Sequence, residues 1–459
     1  MANTYLTRTI GSGSNGTTFT ISFWLKISST SANHTIVGLS SDSNSTKYVE
    51  VALKSNHKLD IQFRNGTSGN NGTYLRRRTN RVFRDVNAWY HIVVRVDSTQ
   101  SSASDRFRLY INGVQETSLD VDSTPDMPQN YVTDFNNNGS TFRIGRGAGS
   151  SSYYLDGLLS HFHFADGQSL APTVFGETDS TTGEWKIITS PSFTVGTEGF
   201  TILKDGNTIT DQSSNSNDFS LSSGTLTKSE DCPSNVFCTL NPLTSQDYTF
   251  SNGNNTIVRG SGVSSTMGTI APSSGKWYWE VKLVSGQSNY PRVGIYKASN
   301  ADNHIHTTYI GNVSGGTGKW GGAGTSQTGV IANGTDSTTA FYSYSNGDIL
   351  MFAMDNDNGK LWFGKNGTWY TNDNSTTTTG TAIGNGTATP AFSNVTVGEN
   401  WSPSVFGNDS ADVWSCNFGN GYFGTTAVSS AGTNASGNGI FEYDVPTGYT
   451  ALSTKGLNE

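Results

Sequence analysis

The chain has 459 residues, enough for two or three domains with separate cores. Its 28 basic and 36 acidic residues give a formal charge of −8, which excludes the concentrated basic footprint of a sequence-independent nucleic-acid binder. Only 14% of residues are charged, against roughly 25% in an ordinary soluble protein, yet 11% are aromatic, a balance that excludes disorder and points to short strands and polar turns.

The first domain is expected over residues 1–175. FTISFWLKIS (19–28) places Phe19, Ile21, Phe23, Leu25 and Ile27 on one strand face. AWYHIVVRVDS (88–98) buries Tyr90, Ile92, Val94 and Val96, or the opposite set if both faces are covered. DRFRLYINGVQ (105–115) sends Phe107, Leu109 and Ile111 inward and ends in Asn-Gly, which suits a tight two-residue hairpin. A closing strand over 154–164 is expected to return toward the N-terminal edge. LRRRTNRVFR (75–84), the one basic run, reads as a wet strand face.

Residues 176–240 read as a connecting region with short strands and a polar stretch, DQSSNSNDFSLSSG (211–224). The second domain is expected over 241–459. Trp277, Trp279, Val281 and Leu283 share one face of its lead strand, GDILMFAMD (347–355) alternates likewise, and LWFGKNGTW turns at Asn366-Gly367. Helical periodicity is nearly absent, so the fold class is all-β: two antiparallel β-sandwiches in tandem with a β-rich linker.

These segments carry resemblances. SFWLKI, AWYHIVVRVD, RLYINGV, FRIGRG and YYLDGLLSHFHFADGQSLAP resemble, in that order, the laminin-G-like branch of the concanavalin-A-like jelly rolls. The WYWEV strand, the VGI strand, the GD…D run at 347–355, the KNG hairpin and the terminal NFG resemble a SPRY domain. The tandem, its linker and the ending VPTGYTALST resemble a group of marine bacteriophage structural proteins found in tail fibres and other virion appendages. That resemblance implies host attachment. It agrees with residues 1–22, which hold no apolar signal segment, and with three cysteines expected as free thiols. The expected location is the virion surface, after synthesis in the host cytoplasm, with no membrane insertion.

Chemistry-bearing residues are few. Two His-x-His pairs, His161/His163 and His304/His306, could each turn two imidazoles to one metal. In trimeric phage fibres such pairs from three chains surround an axial iron, so the resemblance admits iron here. The plainer reading makes His161 and His163 the wet face of a strand whose Phe162 and Phe164 are core. Asp355 and Asp357 in DNDNG could hold calcium, or form a turn closed by Asx side chains. Sugar binding needs exposed aromatic platforms, and Trp320, Tyr153, Tyr154, Trp369 and Tyr370 are the candidates. The carboxylate string nearest to a glycan-hydrolase motif, ETDSTTGE (177–184), has Thr182 where a glutamate is needed.

No catalytic residue or required cofactor is therefore expected. The expectation is a non-enzymatic tail-fibre or receptor-binding component that attaches to host surface glycan or protein. Its partners would be other virion proteins and further copies of itself, as a trimer by analogy with fibres. The alternatives are a capsid decoration or fibre-building module, and a polysaccharide-trimming depolymerase.

Overall fold

β-Branched and aromatic residues at period two, separated by Gly and Asn turns, make strands the dominant element. The computed structural model describes residues 3–11, 16–29, 32–40, 47–65, 73–120, 126–133, 137–148, 153–245, 247–260, 264–286, 292–300, 322–326, 329–332, 335–336, 344–371, 376–393, 395–407 and 412–458. It divides into two units, Met1–Lys228 and Ser229–Glu459.

The first unit begins with β1 (Tyr5–Thr9), β2 (Thr18–Ile27), β3 (His34–Ser40), β4 (Lys47–Leu53), β5 (Lys58–Asn65) and β6 (Thr73–Val82). There follow β7 (Tyr90–Asp97), β8 (Phe107–Ile111), β9 (Val114–Gln115), β10 (Leu119–Asp120), β11 (Thr141–Ile144) and β12 (Gly157–Asp166). Then come β13 (Gly176–Thr178), β14 (Trp185–Ile187), β15 (Phe200–Ile202) and β16 (Ser220–Ser223). Among the described residues they form an eight-stranded sheet, β10-β6-β5-β4-β3-β11-β1-β16, and a six-stranded sheet, β15-β12-β2-β7-β8-β9. All their pairings are antiparallel, and β13 and β14 make a separate hairpin.

One core fills the space between the sheets. Phe19, Ile21, Phe23, Leu25 and Ile27 of β2 join Val49, Val51, Ile61, Phe63 and Phe142 of the larger sheet there, as the alternation predicts. β7 is covered on both sides: Ile92, Val94 and Val96 enter the core while His91 and Val93 are buried on the opposite face. β12 does not return to the N-terminal edge. It pairs with β2 and β15 inside the smaller sheet, because Phe162 stacks on Phe23 at 5.3 Å and on Phe200 at 5.9 Å. The stretch read as a connector thus contributes β15 and β16 to the two sheets of this unit.

The second unit opens with β17 (Tyr248–Ser251), β18 (Thr256–Arg259), β19 (Ser264–Met267), β20 (Lys276–Ser285), β21 (Arg292–Lys297) and β22 (Gly322–Ser326). It continues with β23 (Gly329–Ala332), β24 (Thr335–Asp336), β25 (Ile349–Asp355), β26 (Lys360–Lys365), β27 (Thr368–Tyr370) and β28 (Thr377–Thr378). The last strands are β29 (Trp401–Gly407), β30 (Val413–Asn417), β31 (Tyr422–Phe423), β32 (Thr426–Ala427) and β33 (Thr450–Ala451). Among the described residues one sheet runs β17-β18-β30-β20-β25-β26-β27-β28, with β33 added parallel to β20, and the other runs β19-β29-β21-β22-β23-β24. Trp277, Trp279, Val281 and Leu283 meet Val293, Ile295, Trp401 and Val405 between them. Both Asn-Gly hairpins are present, with φ of 48° and 78° at Asn112-Gly113 and 49° and 84° at Asn366-Gly367.

The opposite face of β20 is also buried. Tyr278 packs there with Trp362, Trp369, Phe441, Val445 and Tyr449, so residues from 441 onward cover the sheet. Glu280 lies beneath this cover, fully buried. Its carboxylate accepts hydrogen bonds from Tyr278 Oη at 2.8 Å, Asn417 Nδ2 at 3.2 Å and the backbone N–H groups of Glu442 and Tyr443 at 2.9 and 2.8 Å. Burial pushes its pKa up to about 7 against the pull of these donors. Replacing Glu280 by Ala strands two backbone N–H groups and the buried Tyr278 hydroxyl, so the second unit should lose about 3 kcal/mol in denaturant unfolding, with a smaller loss for Glu280→Gln.

Candidate functional site

The outward face of the larger sheet in the first unit is polar across its width. Thr7, Arg143, Gly38, Glu50, Gln62 and Arg76 are successive cross-strand partners from β1 to β6, and their strand neighbours Leu6, Phe142, Val37, Val49, Ile61 and Leu75 face the core. This is the period-two rule applied to a sheet with one apolar face. The polar groups are organised. Arg76 Nε donates to Asp60 Oδ1 and Oδ2 at 3.0 and 2.9 Å, and Asp60 is fully buried. Gln62 Nε2 donates to Asp60 Oδ1 at 3.2 Å, Tyr48 Oη to Gln62 Oε1 at 3.1 Å, and Lys54 Nζ to Glu50 Oε1 at 2.7 Å.

At the β1–β11 end of this face the chain doubles back. A Cβ at Gly38 would stand 2.5 Å from the Arg146 carbonyl oxygen, so only glycine lets the segment after β11 pass over β3. Arg146 then forms a β-bridge with Tyr154, and its guanidinium lies 4.9 Å from the ring centre of Tyr5 and 5.8 Å from that of Tyr154. The two rings are 6.0 Å apart and tilted. Tyr153, one residue before the bridge, is 38% exposed. Planar amides, carboxylates and guanidinia beside tyrosine rings can hold paired hydroxyls and pack against the apolar face of a sugar ring.

Of the residues expected to bind sugar, Tyr153 and Tyr154 reach this face, whereas Trp320 lies outside the described residues. Trp369 is not a loop platform: it is buried 6.1 Å from Tyr278 under the C-terminal cover. Tyr370 points the other way and packs, half-buried, against the inner core. Residues missed by the sequence reading are Tyr5, Arg143 and Arg146. FRIGRG brackets a strand-ending glycine with two arginines in a chain poor in them, a signal available beforehand. Four of the five arginines in the basic run 75–84 are paired, Arg76 with Asp60, Arg77 with Asp126, Arg78 with Asp120 and Arg81 with Glu116, while Arg84 is exposed.

The metal candidates find other employment. Among the described residues no cluster of three His, Cys, Asp or Glu is arranged to hold an ion. Asp355 accepts from the N–H and the amide of Asn358 and faces Lys276 at 3.6 Å, while Asp357 accepts from the Gly275 N–H at 2.8 Å. That is the Asx-closed turn. The polar stretch 211–224 is closed in the same way, with Asp211 accepting from the N–H groups of Thr201, Ser213 and Asn217. ETDSTTGE forms the β13–β14 hairpin, whose Glu177 and Asp179 are both tied to Lys186 at 3.3 Å. His304 and His306 lie outside the described residues.

His161 and His163 are not a wet strand face. A register shift between Ser160 and His163, with φ of 47° at His161, interrupts the alternation, and residues after 166 fold over this face of the smaller sheet. His163 stacks on Phe175 at 5.4 Å and meets Phe193 at 5.6 Å, and its Nδ1 pairs with Thr201 Oγ1 at 2.9 Å. His161 Nδ1 pairs with Ser160 Oγ at 2.7 Å. Nearby, His91 stacks on Trp24 at 4.8 Å, pairs with Ser22 Oγ at 2.9 Å and receives the Trp185 indole N–H at 3.0 Å. Gly113 and Gly176 leave the room for that indole: a Cβ at either would stand 2.4 and 2.6 Å from it.

Comparison with known proteins gives one family match, within the first unit. Residues 2–175 match the laminin G family described as the concanavalin A-like lectin/glucanases superfamily. No curated protein matches the chain in sequence. Similar solved structures include the SPRY domain of human HERC1, at 19% identity over 39% of this chain and 96% of that one with a TM-score of 0.28. The PSpry domain of TRIM65 gives 15% identity, 39% and 91% coverage and a TM-score of 0.27. A native heptameric SAP-like pentraxin from Limulus polyphemus gives 16%, 37% and 72%, with a TM-score of 0.25.

Burial holds all three imidazoles neutral, with His91 lowered to about 3, His161 to about 4 and His163 well below 6.5. Unfolded, they protonate near 6.5, so below that pH the unfolded chain takes up more protons and the first unit loses stability, by about 2 kcal/mol per imidazole at pH 5. Glu280 has the opposite sign, since a raised carboxyl pKa favours the fold as pH falls through 7. Calorimetry at pH 7.5 and 5 should show the first unit's transition moving down while Glu280 opposes any fall in the second. A first-unit midpoint that stays put contradicts the neutral-imidazole assignment.

Proposed function

We propose that this chain is a non-catalytic, glycan-binding surface protein of a bacteriophage virion, attaching the particle to its host through the first unit. The observation that carries the reading is the outward face of the larger sheet, an ordered polar row ending in the Tyr5–Arg146–Tyr154 cluster, within a domain similar to lectins and glucanases. Binding is favoured over hydrolysis because a glycosidase needs two carboxyl groups facing the scissile bond. On this face Asp60 is buried against Arg76, and Glu50 is held by Lys54. The virion assignment rests on the tandem's resemblance to phage appendage proteins. Display as a cyclic oligomer, a trimer by that analogy, would raise avidity by ~10²–10⁴ over a single site.

The test pairs adsorption with chemistry. Free protein should compete with phage for host cells and bind the purified host polysaccharide without releasing reducing ends. Tyr154→Ala, which removes one ring of the cluster, should weaken polysaccharide binding roughly tenfold with an unchanged unfolding midpoint. Undiminished adsorption in excess free protein would favour a decoration role, and new reducing ends would establish a depolymerase.

A further inference from the structure

We propose that Arg143 and Arg146, framed by Tyr5 and Tyr154, form a subsite for an anionic substituent, a carboxylate or a sulfate ester, on the bound polysaccharide. This rests on the glycan-binding reading and adds the chemical class of the ligand.

The charge on Arg143 and Arg146 is not matched by a carboxylate within ion-pair distance among the described residues. Six arginines of this unit have carboxylate partners, among them Arg8 with Glu198 at 2.6 Å, Arg78 with Asp120 at 2.6 Å, Arg81 with Glu116 at 2.7 Å, and Arg76 with Asp60, while Arg106 is held by the Gln100, Ser101 and Met127 carbonyl oxygens and Arg95 by Ser169 Oγ. Arg143 donates to the Thr141 carbonyl oxygen at 3.2 Å, and Arg146 rests on two tyrosine rings. Stacking fixes the guanidinium plane and leaves its N–H edge to donate in a fork, the geometry that suits a carboxylate or sulfate. The two cations also feel each other: burial first, and the Arg146 charge second, lower the pKa of Arg143. An anion seated between them relieves that repulsion. In a chain of formal charge −8, long-range steering opposes an anionic ligand, so the affinity must come from this short-range pair.

The experiment measures binding of the full chain to polygalacturonate, dextran sulfate and neutral dextran by calorimetry at low and near-physiological salt. An anionic polymer should bind more tightly than dextran and weaken with salt, and the better of the two names the anion. Arg143→Gln and Arg146→Gln should each cost roughly tenfold on that polymer. Arg146→Lys, which keeps the charge and loses the fork, should recover only part, and unfolding midpoints identify any variant that fails to fold. Equal binding to dextran and both anionic polymers, without salt dependence, overturns the subsite and leaves the glycan reading intact. Salt-dependent binding that survives both Gln substitutions moves the anion site elsewhere. Binding to none of these polymers, nor to the host polysaccharide, removes the glycan reading as well.

Discussion

The constraint on which both units depend is that their central strands are buried on both faces. Such a strand has an apolar side that needs only volume and a second side whose polar groups need partners, because an unpaired buried polar atom costs as much as a good hydrogen bond gains. The first unit meets this on β2 and β7 by laying residues after 166 over Thr20, Ser22 and His91, with Thr20 Oγ1 donating to the Gln168 carbonyl oxygen at 2.7 Å. The second unit meets it on β20 by pinning its C-terminal stretch to Glu280. The larger sheet of the first unit differs: its outward polar row keeps Thr7, Arg76 and Arg143 partly exposed, while Glu50, Gln62 and Asp60 are buried among their own partners.

Much of the architecture is legible in the residues, for simple reasons. Phe19, Ile21, Phe23, Leu25 and Ile27, and Trp277, Trp279, Val281 and Leu283, keep an unbroken apolar face at period two, although Trp24 and Tyr278 add an aromatic to the other face. Asn112-Gly113 and Asn366-Gly367 turn as expected because few other pairs tolerate two successive positive φ values. Concealed from the sequence is which polar faces acquire a cover. His161 and His163 read as wet because imidazoles are usually exposed, and nothing local announces that Phe175 and Phe193 will close over them. Trp369 misleads in the converse way: it stands beside a Thr-rich loop yet belongs to a second core assembled from residues far along the chain.

The candidate site was half visible. Tyr153 and Tyr154 stand out as adjacent aromatics after the Gly- and Ser-rich run GAGSSS. Tyr5 and Arg146 do not, because their meeting depends on β1 lying beside β11 and on Gly38 admitting the returning chain. The polar row is harder still, since Glu50, Gln62 and Arg76 come from three separate strands and align only through register. A basic run such as 75–84 suggests a charged patch until Arg76, Arg77, Arg78 and Arg81 are each seen with an acid.

The placement of β15 and β16 bears on how the first unit comes into being. β1 near the N-terminus has β16 as one of its two neighbours, so more than two hundred residues separate Thr7 from Ser220, its partner across that pair. Long-range pairing of this kind is slow to form and cannot begin until the later segment has left the ribosome. Until then β1 and β12 each present an unsatisfied edge, the template on which extended chains associate. A fragment cut at residue 175, where the family similarity stops, would keep those edges permanently and should be prone to aggregation.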